Sequence, residues 1–419
     1  MFKFIHAADI HLDSPMHRLF NYEGAPVEEI RLATRRVFEN LINMAIDEKV
    51  KFIVIAGDLY DGDWKDYNTG LFFISQMNKL KESGIFTFIV EGNHDAANTI
   101  TKALRLPDKV VKFKTKEPQT HTMNEIEVAI HGQSYSTPAV TNDLSLSYPP
   151  PIPGFFNLGL LHTCATGREG HENYAPCTID GLVSRGYDYW ALGHVHKREV
   201  LKNSPLIQFS GNLQGRHIRE SGAKGCFLIT VDEHGKPHSE FKPLDVVRWF
   251  EVESDTSDIS SPFDLIDDTM EKINKLLIEN EKVVLVIRIT LNRYSKALEK
   301  IASDMEKWSN EFRAAAINIG NNRVWIEKIK IQAEHKPADK KIFNSGSPIA
   351  ELLDYINEIQ DDPKILSVIE NEFTDLRRKL PSELTEGSEV INFSNKDWIS
   401  GILNQVGPML LNRSFNQEK

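Results

Sequence analysis

Over the first 250 residues the apolar positions fall into short runs, and each run stops at a polar cluster. Residues 2–7, 51–56, 86–90, 156–161 and 189–192 have the length and the β-branched and aromatic content of buried strands. Between them, residues 26–49 and 70–82 carry apolar side chains at helical spacing, such as Ile30, Ala33, Val37, Leu41, Met44 and Ala45. Alternation of strand and helix predicts an α/β fold with a parallel sheet. Residues 206–209, 226–231 and 239–241 then predict antiparallel strands, joined by turns such as Glu233-His234-Gly235, and a first domain closing at residue 245.

Beyond that point the pattern changes. Strands at 247–252, 283–291 and 324–331, with helices at 262–279 and 297–316, predict a small α+β accessory domain over 246–335. Residues 336–348, with two Pro and three Lys, read as a linker. The tail, 349–419, reads as helical, with apolar stripes at Ile349, Leu352, Leu353, Ile356 and Ile359, at Ile365, Ile369, Phe373, Leu376 and Leu380, and at Trp398, Ile402, Val406 and Leu410. Such stripes pack either on their own domain or against a partner's helices.

Composition narrows the class. Of the 419 residues, 41% are hydrophobic, enough to fill real cores, yet no apolar run approaches the ~20 residues of a membrane span. The opening residues contain no apolar leader, so a cytoplasmic protein with no membrane partner is expected. Cys164, Cys177 and Cys226 have no zinc-type spacing and read as reduced, semi-buried thiols. A formal charge of -11 disfavours holding nucleic acid by bulk electrostatics, unless divalent cations reverse the local field or a partner supplies basic surface.

The polar clusters carry the chemistry. Asp9 and His11 follow the first strand, Asp58 and Asp61 the second, Asn93 and His94 the third, His162 the fourth, and His194 and His196 the fifth. Strand C-terminal ends are where ligands of α/β folds collect. Two carboxylates (Asp9, Asp58), four imidazoles (His11, His162, His194, His196) and the Asn93 amide have too few acids for a calcium cage. They are too oxygen-rich for a structural zinc site and suit Mn²⁺ or Fe²⁺. Seven groups exceed the needs of one ion, whereas two divalent ions bridged by Asp58 would use them all. Such a pair can orient a phosphate and activate a water for in-line attack. His94 need not bind metal and can donate a proton toward the leaving oxygen, with Asp61 orienting it. Arg31, Arg35 and Arg36 lie on the outer face of the helix at 26–49, ordinarily a solvated face, and are candidate phosphate contacts, with His171 and His217 as candidates to flank the substrate cleft.

The series Asp9-x-His11, Gly57-Asp58-x-x-Asp61, Gly92-Asn93-His94-Asp95, His162 and Gly193-His194-x-His196 resembles the five-block signature of the calcineurin-like metallophosphoesterases. Within them, HAADIHLDSP, YDYWALGHVHKREV and FSGNLQGRHIRESGAKG are most similar to the SbcD-type DNA repair exonucleases, in particular their YhaO-like bacterial branch. The resemblance implies a four-layer α-β-β-α metallophosphoesterase sandwich with a small α+β capping domain and a C-terminal helical tail. It implies Asp9, His11, Asp58 and His196 around one metal, Asp58, Asn93, His162 and His194 around the other, and His94 as the catalytic histidine. Asp61 stands where archaeal and eukaryotic nucleases of the family have a second histidine; the phosphoprotein phosphatases follow this acid with Arg, where this chain has Gly62. The resemblance further implies a Mn²⁺-dependent exonuclease and single-strand endonuclease that forms a homodimer, its tail binding the coiled-coil base of an SMC-like ATPase of the SbcC/YhaN type. Two other readings stay open: a phosphoesterase of a phosphoprotein, cyclic nucleotide or nucleotide-sugar, and a docking subunit whose site is only a fold staple.

Overall fold

The structure, a computed structural model, describes residues 1–14, 27–61, 67–97, 105–165, 175–320 and 323–332, together with Tyr355, Glu358, Ile365 and Val368. The linker at 336–348, the apolar stripes of the tail (Ile365 apart) and His171 lie outside these residues. In chain order the elements are β1 (Phe2–Ala7), α1 (Val27–Arg31), α2 (Ala33–Asp47), β2 (Phe52–Ala56), α3 (Tyr67–Glu82), β3 (Phe86–Val90), α4 (Asn93–Ala97), β4 (Val110–Lys112), β5 (Gln119–Met123), β6 (Val128–Gly132), β7 (Phe156–His162), α5 (Ile179–Ser184) and β8 (Tyr189–Gly193). They continue with β9 (Glu199–Asn203), β10 (Leu206–Phe209), β11 (Gly225–Val231), β12 (Pro237–Pro243), β13 (Val247–Asp255), α6 (Pro262–Glu279), β14 (Val284–Asn292), α7 (Lys296–Ser303), α8 (Met305–Gly320) and β15 (Val324–Ile331).

Two six-stranded sheets form the centre, in the orders β12-β11-β1-β2-β3-β4 and β5-β6-β7-β8-β10-β9. The inner strands of each are parallel, and antiparallel strands close every edge except that of β4, which runs parallel to β3. Every residue of β2, β7 and β8 is buried, as their near-continuous apolar sequences require of strands covered on both faces. Between the sheets lie Phe4, Phe52, Phe88, Ile130, Leu158, Leu160 and Tyr189, with the Phe4 and Phe52 rings stacked 4.8 Å apart. The opposite faces take the helices: Val37, Phe38 and Leu41 of α2 and Phe73 of α3 cover Ile53, Ile55 and Ile89, while Leu182 of α5 covers Leu161, Trp190 and Ile207. This layering is the expected metallophosphoesterase sandwich.

Four expectations change. The helix expected over 26–49 is two helices meeting at Leu32, and that over 297–316 breaks at Asp304. There the Asp304 carboxylate accepts the Lys307 amide and restarts the chain as α8, the ordinary use of an aspartate at a helix start. β10, expected antiparallel, runs parallel to β8 and antiparallel only to β9. The three cysteines form no disulfide, and all are fully buried rather than partly so.

The chain clusters into two compact units, one of Met1–Glu253, Ile266–Thr290 and Ser309–Lys330, the other of Ser254–Leu265, Leu291–Trp308 and Ile331–Lys419. A third sheet has the order β13-β14-β15. No helix among the described residues is long and apolar enough to cross a membrane.

Candidate dinuclear metal centre

The C-terminal ends of β1, β2, β3, β7 and β8 deliver their polar residues to one place. Glycines let the backbones come this close. A Cβ on Gly193 would lie 1.9 Å from the Ala56 carbonyl oxygen, and one on Gly92 would lie 2.3 Å from Asp58 Oδ1. Asp9, His11, Asp58 and His194 all have positive φ, at 49°, 44°, 51° and 99°, a conformation that costs non-glycine residues about 1–3 kcal/mol and gathers at functional sites.

Besides a group of His11, Asp61 and His94, two groups of ligand-type atoms result, each drawn within 4.8 Å: Asp9, His11 and His196 in one, Asp58, His162 and His194 in the other. Asp58 reaches both, with Oδ2 3.4 Å from His162 Nε2 and 3.9 Å from His11 Nε2, while its Oδ1 accepts the His94 amide at 3.0 Å. The Asp9 carboxylate accepts the His194 amide through both oxygens, at 3.0 and 3.1 Å. Asn93 Oδ1 lies 3.0 Å from His162 Nε2. All seven residues expected to hold metal are thus brought together.

The hydrogen bonds fix which nitrogens carry protons. His162 Nδ1 donates to the Ala56 carbonyl at 2.9 Å, so its Nε2 lone pair points at the Asp58 and Asn93 oxygens. His196 Nδ1 donates to Glu220 Oε1 at 2.6 Å, and His11 Nδ1 faces Asp61 Oδ1 at 3.4 Å. The Nε2 atoms of His11 and His196 lie 3.2 Å apart in a hydrogen bond, with His196, whose Nδ1 is the donor to Glu220, accepting. Burial lowers His162 to about 3 and His11 to about 4. Burial, with Asp58 adding to it, likewise pushes Asp9 up to about 7. Buried carboxylates, imidazoles and an amide oxygen that converge in this way fit divalent cations.

His94 stands at the open side of this cluster, with 40% of its side chain exposed. Its Nδ1 is 3.0 Å from Asp61 Oδ1, as expected; burial works against its charge, but this carboxylate raises its pKa. Burial pushes Asp61 up, yet hydrogen bonds from His11 and His94 hold it well below the carboxylate range.

Residues 2–198 match the calcineurin-like phosphoesterase model, and residues 249–334 match the middle domain of metallophosphoesterase YhaO. The uncharacterized metallophosphoesterase YhaO of Bacillus subtilis (strain 168) is 34% identical over 279 residues, 65% of this chain and 68% of that one. This chain belongs to the YhaO family of calcineurin-like metallophosphoesterases. Calcineurin-like phosphoesterases use dinuclear metal sites, and the two groups around Asp58 are the matching candidates here. The DNA double-strand break repair protein Mre11 of Methanopyrus kandleri is 24% identical over 59% of this chain, and that of Sulfurisphaera tokodaii 28% over 54%; the match spans 58% of each. A dimetal phosphatase from Danio rerio covers 57% of this chain and 98% of its own at 13% identity and a TM-score of 0.35, too low to carry any argument.

Of the DNA-contact candidates, Arg35 is bound within the fold, to both Asp13 oxygens at 2.7 and 2.6 Å and to Thr69, so the expected phosphate contact finds no support there. Arg31 and Arg36 are exposed, and His217 lies 3.6 Å from Glu220. Sequence reasoning gave no role to Asp95, Arg216 or Glu220. Asp95 accepts the amides of Leu59, Tyr60 and Gly92, tying the second and third polar clusters together; burial and Asp58 push its carboxyl up to about 8. Its place in the Gly92–Asp95 block was the available signal.

Proposed function

We propose that this member of the YhaO family is a divalent-metal-dependent phosphodiesterase of DNA, an exonuclease and single-strand endonuclease that uses Mn²⁺ and works as a homodimer beside an SMC-like coiled-coil ATPase. The observation that carries the phosphodiesterase chemistry is the place of Asp58 between His162 and His11, within reach of both groups of ligand atoms and with His94 beside it. Choice of DNA as substrate rests on the likeness to the two Mre11 proteins.

The site residues divide the work. Bound cations would supply the positive charge that orients a phosphate and lowers the pKa of an attacking water. Asp9, His11, Asp58 and His196 would hold one, and Asp58, Asn93, His162 and His194 the other. His94, oriented through Nδ1 by Asp61, presents Nε2 on the open side. As water adds to phosphorus and the ester P–O bond breaks, the His94 proton passes to the leaving oxygen.

Purified protein with Mn²⁺ and an end-labelled duplex is expected to release nucleotides, and to nick circular single-stranded DNA. Asp58→Asn is expected to abolish both, and His94→Gln to slow them by about 10²–10⁴-fold. Intact DNA alongside hydrolysis of cyclic nucleotides, nucleotide-sugars or phosphopeptides would move the substrate to a small ester, a reading that the charge of -11 favours.

A further inference from the structure

The segment between β10 and β11 contributes two side chains that no role in the reaction has yet absorbed. Glu220 is buried and presents both carboxylate oxygens to the site's rim: Oε1 accepts from His196 Nδ1 at 2.6 Å, and Oε2 accepts the Arg216 amide at 2.7 Å. The Arg216 guanidinium, itself mostly buried, reaches in two directions. One terminal nitrogen donates to Ser14 Oγ at 3.2 Å and lies 3.5 Å from Asp61 Oδ2; the other lies 3.6 Å from Glu220 Oε1. Ser14 in turn donates to Asp61 Oδ2 at 2.5 Å.

Asp61 and His196 belong to separate parts of the centre. The first orients His94 and touches His11; the second closes the Asp9 cluster. Arg216 is a charged fork between Asp61, the acid that orients His94, and Glu220, the acid that orients His196, and a planar guanidinium with fixed donor directions suits such a bridge better than a flexible ammonium. The turn that holds it is tight: Glu220 donates its amide to the His217 carbonyl at 2.9 Å, and a Cβ on Gly215 would lie 2.7 Å from the Glu220 carbonyl oxygen.

We infer that Arg216 and Glu220 form a positioning bracket: Glu220 fixes the tautomer and direction of His196 as a metal ligand, while Arg216 locks Asp61, and through it His94, to the same rigid turn. The bracket rests on the dinuclear phosphoesterase reading of the site, not on DNA as its substrate. Metal affinity and proton delivery are thereby set from one turn outside the five polar clusters.

The test uses the full chain, Mn²⁺ alone as the binding probe, and bis(p-nitrophenyl) phosphate as a simple phosphodiester. Glu220→Gln is expected to weaken Mn²⁺ binding in calorimetric titration about 10–100-fold. Arg216→Gln is expected to leave Mn²⁺ affinity within about threefold and KM nearly unchanged while lowering kcat about tenfold or more, with Arg216→Lys recovering only part. Its effect should shrink sharply in an Asp61→Asn background, because the two act through one link. Melting curves of the metal-free variants identify any that fail to fold, and Arg216→Lys then carries the comparison. Wild-type Mn²⁺ affinity in Glu220→Gln, or Arg216 and Asp61 effects that simply multiply, would overturn the bracket. A wild type that binds no Mn²⁺ would instead remove the reading beneath it.

Discussion

Gly57 shows how one residue conditions the centre. It sits at φ +91° immediately before Asp58, and a Cβ there would lie 2.3 Å from His162 Nδ1, the nitrogen that donates to the Ala56 carbonyl. Gly57→Ala therefore both strains the backbone and displaces His162; a stability loss of about 1–3 kcal/mol in denaturant unfolding and a weakened Mn²⁺ titration are expected. At this scale much was legible. Asp9, His11, Asp58, Asn93, His162, His194 and His196 each sit where an apolar run stops, and β-strand geometry carries every such stop to one edge. Asp61 was legible too, being three residues from Asp58. Glu220 was not, because it follows His196 by 24 residues through an irregular turn, and no periodicity encodes which carboxylate folds back onto which imidazole.

The same contrast holds among elements. β1, β3 and β10 match the expected strands residue for residue, since a buried strand leaves a continuous apolar run. The breaks at Leu32 and Asp304 left the helical spacing nearly intact on both sides, so periodicity alone ran through them. The inter-sheet layer supports the edge that bears the site: Phe88→Ala, which empties a fully buried position between the sheets, is expected to cost about 3–5 kcal/mol of unfolding free energy. His6 adds a pH dependence to this layer. It is buried against Tyr189 and the Leu192 carbonyl, and burial lowers its pKa to about 3. The unfolded chain takes up this proton near the ordinary value of 6.5 and the folded one does not, so stability is lost as pH falls from about 6.5 toward 3, by up to about 1.4 kcal/mol per unit from this group. Unfolding curves of His6→Gln across that window are expected to be flatter than wild type by this slope.

For the whole molecule, cations bound at the proposed centre would couple metal binding to folding, because they would offset the burial of its acids and imidazoles. EDTA is therefore expected to abolish hydrolysis and lower Tm by about 5 °C or more, both restored by Mn²⁺. The helices of the tail were read from the spacing of apolar residues and the ATPase partner from the family resemblance, whereas the charge of -11 was what pointed to cations or a partner as the source of any grip on DNA. The most direct test of the central claim, that Asp58 is shared, is anomalous scattering from a crystal soaked in Mn²⁺. Two peaks about 3.5–4 Å apart, one on each side of the Asp58 carboxylate, are predicted. A single peak, or a pair that leaves Asp58 outside the coordination of either ion, would contradict it.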